Sequence, residues 1–216
     1  ASDASDGDQF GYAVSISGNT AIIGARSNDD DGTNSGSAYI FELQNGTWAE
    51  IQKITASDAT TSNNFGQSVS ISGNSVIIGA PYKDGYSGSA YIFELQNGTW
   101  IETKILTASD ATTSDNFGQS VSISETSAIV GAYYNDDNGS NTGSAYIFEL
   151  QNGTWAETQK ITASDADVND YFGQSVSISG NSAIVGAHGN DNYNGSAYIF
   201  KLQNETWTEA QKLTAS

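Results

Sequence analysis

Cysteine and methionine are absent from this 216-residue chain, and proline occurs once, as Pro81. Without cysteine the chain can form no disulfide and has no thiol nucleophile. His188 is the single histidine, so a histidine-rich metal site is excluded, and a structural role for His188 is favoured over a catalytic one. No run of 18 apolar residues occurs, which excludes a membrane-spanning helix and predicts no membrane insertion.

Basic side chains are also scarce. The chain has seven lysines and arginines and 25 acidic residues, which gives a net charge of −18. Nucleic acids and anionic membrane surfaces are bound through lysine and arginine, so the composition excludes both as partners. Cations and partners with basic patches remain, and solubility alone would explain the charge equally well.

One segment occurs four times, at residues 36–48, 88–100, 143–155 and 195–207. Self-similarity at a period of about 50 residues indicates a propeller, a solenoid or an array. Each copy has a β-rich, aromatic run followed by Asn-Gly or Asn-Glu, which predicts a hairpin with two positive φ angles at its turn. The turn interpretation is favoured over N-glycosylation of the same asparagines. Glu205, in the place of glycine, predicts a strained φ angle or a different turn in the fourth repeat.

Four strands are predicted in each repeat, as in the second one, where they cover residues 65–72, 75–80, 88–95 and 99–106. Strand two is apolar throughout, as in a sheet covered on both faces, and strand four carries charges, as at an edge. The sequence therefore predicts an all-β fold, a β-propeller of four four-stranded antiparallel blades in one domain, closed into a ring. The predicted blades cover approximately residues 8–57, 63–109, 115–164 and 170–216.

Loop length varies at one place in the repeat. From the Phe-Gly pair to the hairpin glycine the four distances are 26, 23, 26 and 23 residues, whereas the other spacings are constant. All of the variation therefore lies in the loop between strands two and three. Variation confined to one loop is typical of a face free of packing, and often of the binding face.

The segments Phe-Gly-Gln-Ser-Val-Ser-Ile-Ser at 65–72 and Ile-Ile-Gly-Ala-Pro at 77–81 resemble the FG-GAP repeat. That repeat is the blade of integrin α-subunit propellers and of many secreted bacterial proteins, and the bacterial type is the more similar. The resemblance implies a secreted or cell-surface propeller used for recognition and adhesion, without catalysis. Integrin-type propellers have seven blades and a calcium loop between strands one and two. Only Ser17-Gly18-Asn19 occupies that place here, so that calcium site is not carried over.

Acidic and amide residues crowd the loops after strand two. Calcium is a hard cation that takes six to eight oxygen ligands, and such loops supply them, so Ca²⁺ is the candidate cofactor. The alternative is a solvated polar loop, because the same residues favour turns. The candidate metal ligands are Asn28, Asp29, Asp30, Asp31, Asn135, Asp136 and Asp137.

Aromatic residues in variable loops are the candidate ligand contacts, because less packing explains them. The four tryptophans, in register at the start of strand four, are interpreted as packing between blades rather than as a sugar-stacking platform. The candidate contacts are Tyr82, Tyr86, Tyr133, Tyr134 and Tyr193.

The sequence predicts an extracellular, non-catalytic binding or adhesion module with a protein or glycan partner on a cell surface or matrix. Paired carboxylates leave a glycosidase formally open, but the near-identity of the repeats speaks against a catalytic site. Two alternatives stay open: a self-assembling structural subunit of an extracellular filament or surface layer, and a glycan-binding, lectin-like propeller.

Overall fold

The computed structural model describes residues 1–215 of the chain, and each sequence repeat forms one four-stranded antiparallel sheet, or blade, with its strands in chain order. Two short helical turns lie in the loops of blades two and four. The strands of blades one and two are β1 (Phe10–Ser17), β2 (Thr20–Ala25), β3 (Ser37–Gln44), β4 (Thr47–Ile54), β5 (Ser68–Ser72), β6 (Ser75–Ala80), β7 (Ser89–Gln96) and β8 (Thr99–Leu106). Those of blades three and four are β9 (Ser120–Ser124), β10 (Ser127–Ala132), β11 (Ser144–Gln151), β12 (Thr154–Ile161), β13 (Ser175–Ser179), β14 (Ser182–Ala187), β15 (Ser196–Gln203) and β16 (Thr206–Thr214). The helical turns are α1 (Lys83–Tyr86) and α2 (Asn190–Tyr193).

In blades two to four the first strand is shorter than the sequence predicts, whereas β1 of blade one begins at the phenylalanine of its Phe-Gly pair, Phe10. Strand β5 begins at Ser68 rather than at Phe65. The reason is that Phe65 leaves its own sheet and forms a parallel bridge with Gly36 of the preceding blade. The Phe-Gly motif is therefore a connector between blades. The predicted bounds of β6 and β8 are confirmed, and β7 is displaced by one residue.

The Asn-Gly hairpin turns have the predicted backbone. In blade two, φ is 51° at Asn97 and 83° at Gly98, and two positive φ angles match the right-handed twist of the paired strands. Blade four has the same turn with φ of 49° at Asn204 and 63° at Glu205. A left-handed conformation costs a residue with a Cβ about 1–2 kcal/mol, so the strain predicted at Glu205 is confirmed.

Replacing this residue, Glu205→Gly, should stabilise the chain. The relief of strain is partly offset by the greater backbone entropy of glycine in the unfolded state, which leaves a gain of about 0.5–1 kcal/mol. For a chain of this size the melting temperature should rise by about 2 °C, measured by circular dichroism. The reverse change in blade two, Gly98→Glu, should lower it. A lower melting temperature for Glu205→Gly would contradict the claim that the backbone is strained at Glu205.

Neighbouring blades are joined through apolar cores. In the first joint, Phe65 is fully buried and packs edge-on against Tyr91, with ring centroids 5.3 Å apart, in a cluster that includes Ile22 and Ile40 of blade one. Two equivalent clusters join blades two and three and blades three and four. At each joint two glycines face each other: a Cβ on Gly24 would overlap the carbonyl oxygen of Gly66. Only glycine permits so close a backbone approach.

Three of the four tryptophans pack between blades. Trp100, Trp155 and Trp207 are 2–3% exposed. The backbone of Trp100 exchanges two hydrogen bonds of 2.8 Å with the Gln52 side chain of the preceding blade. The interpretation of these residues as packing is confirmed at three positions. Trp48 is the exception, because it is 41% exposed on blade one.

The blades form an open arc, so the predicted closure into a ring is wrong. Within the described residues 1–215, strand one of each blade packs on strand one of the next, but β13 of blade four does not pack on β1 of blade one. Phe10 and Val14 of β1 are consequently 41% and 68% exposed. All three joints use the same glycine contact, and among the described residues Gly186 of blade four has no such contact with blade one. No helix of the described chain is long and apolar enough to cross a membrane.

Candidate ligand-binding face

The long loops of adjacent blades are bonded together on one face of the arc. The loop after strand two of one blade accepts hydrogen bonds from the residues that precede strand one of the next blade. The N–H of Asn64 donates to the carbonyl oxygen of Asn34 over 3.0 Å, and that of Phe65 donates to Ser35 over 3.0 Å. The same bonds recur at the other two joints. Backbone hydrogen bonds therefore join the loops of adjacent blades into one continuous surface.

The acidic loops of blade one surround a lysine. The Lys53 ammonium donates to Oδ2 of Asp3 over 2.5 Å, to Asp30, and to Oδ1 of Asn28 over 3.3 Å. Asn28 is itself fully buried and accepts a 2.7 Å hydrogen bond from Ser37. The cation of this cluster is therefore supplied by the chain, from strand β4.

Every other blade has an equivalent cluster. In blade three, Lys160 donates to Asp110 over 2.6 Å, to Asn135 over 3.1 Å and to Asp137. In blade four, Lys212 contacts Asp165 at 2.7 Å and Asp191 at 3.2 Å. In blade two, Lys83 contacts Asp58 at 3.0 Å and Asp84 at 3.3 Å. One ammonium group thus stands among the carboxylates of each blade.

The clusters shift the ionisation of their members. Burial by itself would lower the pKa of Lys53, but the hydrogen bonds to Asp3 and Asp30 outweigh it and raise the pKa. The bond from Lys53 lowers the pKa of the Asp3 carboxyl. The other oxygen of Asp3 accepts a 2.8 Å hydrogen bond from Tyr39, and burial together with this bond raises the pKa of Tyr39 to about 12. Both partners of the ion pair stay charged at neutral pH.

Most of the candidate calcium ligands contact other groups of the protein. Asn28 and Asn135 are buried within the blades, and Asp30 and Asp137 bind the lysines. Asp29 accepts a 2.7 Å bond from the backbone of its own loop, Asp136 accepts one of 2.6 Å in the same way, and Asp31 is exposed. No group of three or more acidic or histidine side chains with metal-site geometry occurs among the described residues. Calcium stays a prediction, and an ion here would have to displace an ammonium group.

The loop tyrosines lie together, across blades two to four. Tyr133 and Tyr134 have ring centroids 4.0 Å apart, and Tyr171 lies 6.1 Å from Tyr133 and 5.7 Å from Tyr134. The imidazole of His188 stacks on Tyr171 at 5.0 Å with an interplanar angle of 14°. The aromatic cluster, as we call it, consists of Tyr82, Tyr86, Tyr133, Tyr134, Tyr171, His188 and Tyr193.

A hollow of about 370 Å³ opens within the aromatic cluster, at the joint between blades two and three. Its walls are the rings of Tyr82 and Tyr86, 5.2 Å apart, and the adjacent, mutually tilted rings of Tyr133 and Tyr134. Asn116 adds an amide to this lining. All five predicted ligand contacts therefore belong to one cluster, four of them around this hollow, and Tyr193 lies 6.5 Å from Tyr171.

Three members of the cluster have strained backbones. The φ angles are 70° at Tyr86, 58° at Tyr171 and 67° at Tyr193. The corresponding positions of other repeats carry asparagine, for example Asn34 and Asn64, with φ of 52° and 54°. Asparagine tolerates this conformation and a bulky ring does not, so the tyrosines are outliers of the kind that collects at functional sites.

Tyr171 and His188 are the members that the sequence analysis missed. Tyr171 directly precedes a Phe-Gly pair, at a position where the other repeats have Gln9, Asn64 and Asn116. That single departure from the repeat was visible in the sequence and would have identified it. His188 follows the Gly-Ala of strand two and stacks on Tyr171 of its own repeat, 17 residues earlier in the sequence.

Blades of four antiparallel strands, joined in series through apolar contacts and paired glycines, define a β-propeller protein. Residues 1–41, 48–93, 100–148 and 155–200 match the FG-GAP repeat. The chain belongs to the FG-GAP repeat family, which confirms the resemblance seen in the Phe-Gly motifs.

Comparison with solved structures supports the fold. Among solved structures the chain is similar to hydrazine synthase of Kuenenia stuttgartiensis, with a TM-score of 0.61 and 14% sequence identity. The match covers 97% of this chain and 51% of the other, so this chain spans about half the length of that one. At this identity the likeness concerns the fold alone. No match was found among curated proteins.

Proposed function

We propose that this chain is an extracellular, non-catalytic binding module whose aromatic cluster takes basic side chains of a polypeptide partner. The observation that carries the proposal is the strain at Tyr86, Tyr171 and Tyr193. Each holds a ring at a positive φ where another repeat has asparagine. A cost of about 1–3 kcal/mol for each such residue is retained where it serves a function.

Charge supports a basic partner. The chain carries a net charge of −18, and the acidic loops of every blade lie on the same face as the rings. Lysine and arginine are attracted to the faces of aromatic rings, with about 0.5–2 kcal/mol for each contact. The chain itself contains such a contact, since the Arg26 guanidinium lies 3.8 Å from the Tyr12 ring centroid. Complementary charge also speeds the encounter of the two partners.

The proposal is tested with Tyr171→Asn, because asparagine is the residue that two sister repeats have at this position. The probes are a labelled Arg-Gly repeat peptide, a Glu-Gly peptide of reversed charge, and a glycan array. We expect the native chain to bind the Arg-Gly peptide alone. The substitution should weaken that binding about tenfold, as expected for one lost cation–π contact. It should also raise the melting temperature by about 2–4 °C, because the strain is relieved.

Asn116→Ala, which removes the amide from the hollow and no ring, is the matched control and should change peptide binding less than Tyr171→Asn. Binding of the Arg-Gly peptide that Tyr171→Asn leaves unchanged would contradict the role of the cluster. Binding to glycans and not to the peptide would identify the module as a lectin instead.

A further inference from the structure

The two ends of the arc expose the two halves of one blade–blade joint. The leading face, on blade one, consists of Phe10, Ile16, Ala21, Ile23, Phe41 and Trp48. The trailing face, on blade four, consists of Ile184, Gly186, Gly195, Ala197, Ile199 and Leu213. Each is the counterpart of a surface that is covered at the three internal joints.

The leading face is apolar and hollow. Phe10 is 41% exposed, whereas its counterparts Phe65, Phe117 and Phe172 are fully buried. Trp48 is 41% exposed, against 2–3% for the other tryptophans. Together with Ala21, Ile23 and Phe41 these rings line a hollow of about 240 Å³. At each internal joint the preceding blade fills this place with an isoleucine-rich surface.

The trailing face has that isoleucine-rich surface and the glycine it requires. Ile184 is 37% exposed, whereas its counterpart Ile129 is fully buried. A Cβ on Gly131 would overlap the carbonyl oxygen of Gly173 in the next blade, whereas one on Gly186 would meet only Ser175 of its own blade. The backbone at Gly186 is therefore open to a blade that approaches as closely as blade four approaches Gly131.

The polar groups of the two faces match as well. At the internal joints a serine of one blade accepts from the next blade's backbone: Ser122 accepts from the N–H of Ile178 over 3.1 Å. Ser177 and the N–H of Ile16 hold the same two places at the open ends. Gln159 exchanges two 2.7 Å bonds with Trp207, and the corresponding pair at the ends is Gln211 and Trp48.

We propose that the trailing face of one copy binds the leading face of a second copy, in the same geometry as the internal joints. Repeat proteins whose ends meet water carry polar capping surfaces, whereas both end surfaces of the described arc are apolar. The arc has both halves of the joint, so a second copy offers each end its complementary half. Two copies joined at both ends would make a ring of eight blades, within the range of known propellers.

The test is the mass of the 216-residue chain in solution, measured by light scattering after size exclusion. We expect twice the 22.6 kDa of one chain, or about 45 kDa. Gly186→Ala should block the trailing face and Trp48→Glu the leading face, so each variant alone should be monomeric. Mixed together, the two variants retain one open face of each kind and should associate. If the rotation between joined copies does not close a ring, the copies would form head-to-tail polymers. The same two variants should abolish these polymers too.

Folding controls accompany the mass measurement. Trp48 is 41% exposed, and Gly186 is partly exposed with only the Ser175 side chain close to an added Cβ, so the variants should keep the native circular dichroism spectrum. If Trp48→Glu fails to fold, Ile16→Glu, at a residue that is 64% exposed, replaces it. A native mass of 22.6 kDa, association that neither variant changes, or a mixture that stays monomeric would each overturn the proposal.

Discussion

Gly131→Ala is expected to destabilise the chain by about 3–5 kcal/mol and to lower its melting temperature by about 10 °C. The added methyl group would overlap the backbone carbonyl of Gly173 across the joint between blades three and four. A backbone atom within two packed sheets cannot move aside, so the joint has to open. Thermal unfolding followed by circular dichroism measures the loss.

Gly186→Ala is the matched control, because it makes the same change at the same repeat position of blade four. In dilute solution, where chains are separate, this variant should lose about 1 kcal/mol or less, since Ser175 can rotate away. Equal losses in the two variants would mean that blade four is covered within a single chain. The open arc would then be incorrect, which makes this comparison a test of the fold as well.

Alkaline pH should unfold the chain steeply. Burial and a hydrogen bond to Asp3 raise the pKa of Tyr39 to about 12, and burial with similar bonds raises the pKa of Tyr91, Tyr146 and Tyr198. A group whose pKa is higher in the folded state stabilises it below the unfolded value, which is 10 for tyrosine. That stability is lost as the pH rises above 10 towards the folded pKa. Hydrogen bonds to aspartates also raise the pKa values of the cluster lysines, with the same sign, at Lys53, Lys83, Lys160 and Lys212.

Melting temperatures and near-ultraviolet tyrosinate absorbance between pH 7 and about 12 would follow this loss. Tyr146→Phe is the informative variant. It should be less stable at neutral pH by about 1 kcal/mol, because the bond to Asp110 is gone. Its further loss at high pH should be smaller than that of the native chain. A further loss at high pH as large in Tyr146→Phe as in the native chain would contradict the coupling.

Local signals in the sequence predicted local structure well. The Asn97-Gly98 turn and the apolar strand β6 depend on residues close together in the chain, so their conformation is encoded where it occurs. The repeat then extends each prediction to four blades. The Phe-Gly motif was placed in the wrong sheet because Phe65 pairs with a residue of the preceding blade, which strand periodicity within one repeat cannot reveal.

The site was predicted in part. Loop composition found the other tyrosines but missed two members of the cluster. Tyr171 contacts Tyr133 and Tyr134 of the preceding blade, and His188 stacks on Tyr171 from a distant position in the same repeat. The lysine within the acidic loops was also missed, because it is distant in sequence. Lys53 lies 23 residues after Asp30, and the sequence analysis placed the charges of strand four only at an exposed edge. Closure of the ring depends on the rotation at each joint, a quantity that no pattern of residues expresses.

Blade two obtains its lysine from a different place. Strand β8 has Ile105 where the other blades have lysine, and the ammonium comes instead from Lys83, at the position of the buried asparagines such as Asn28. The acidic partner of that asparagine is replaced in blade two by Asn63. Three positions, distant in sequence, have therefore changed together. A loop of one blade therefore cannot replace that of another by itself. A graft of blade three's loop into blade two also needs a lysine in place of Ile105 and an aspartate in place of Asn63.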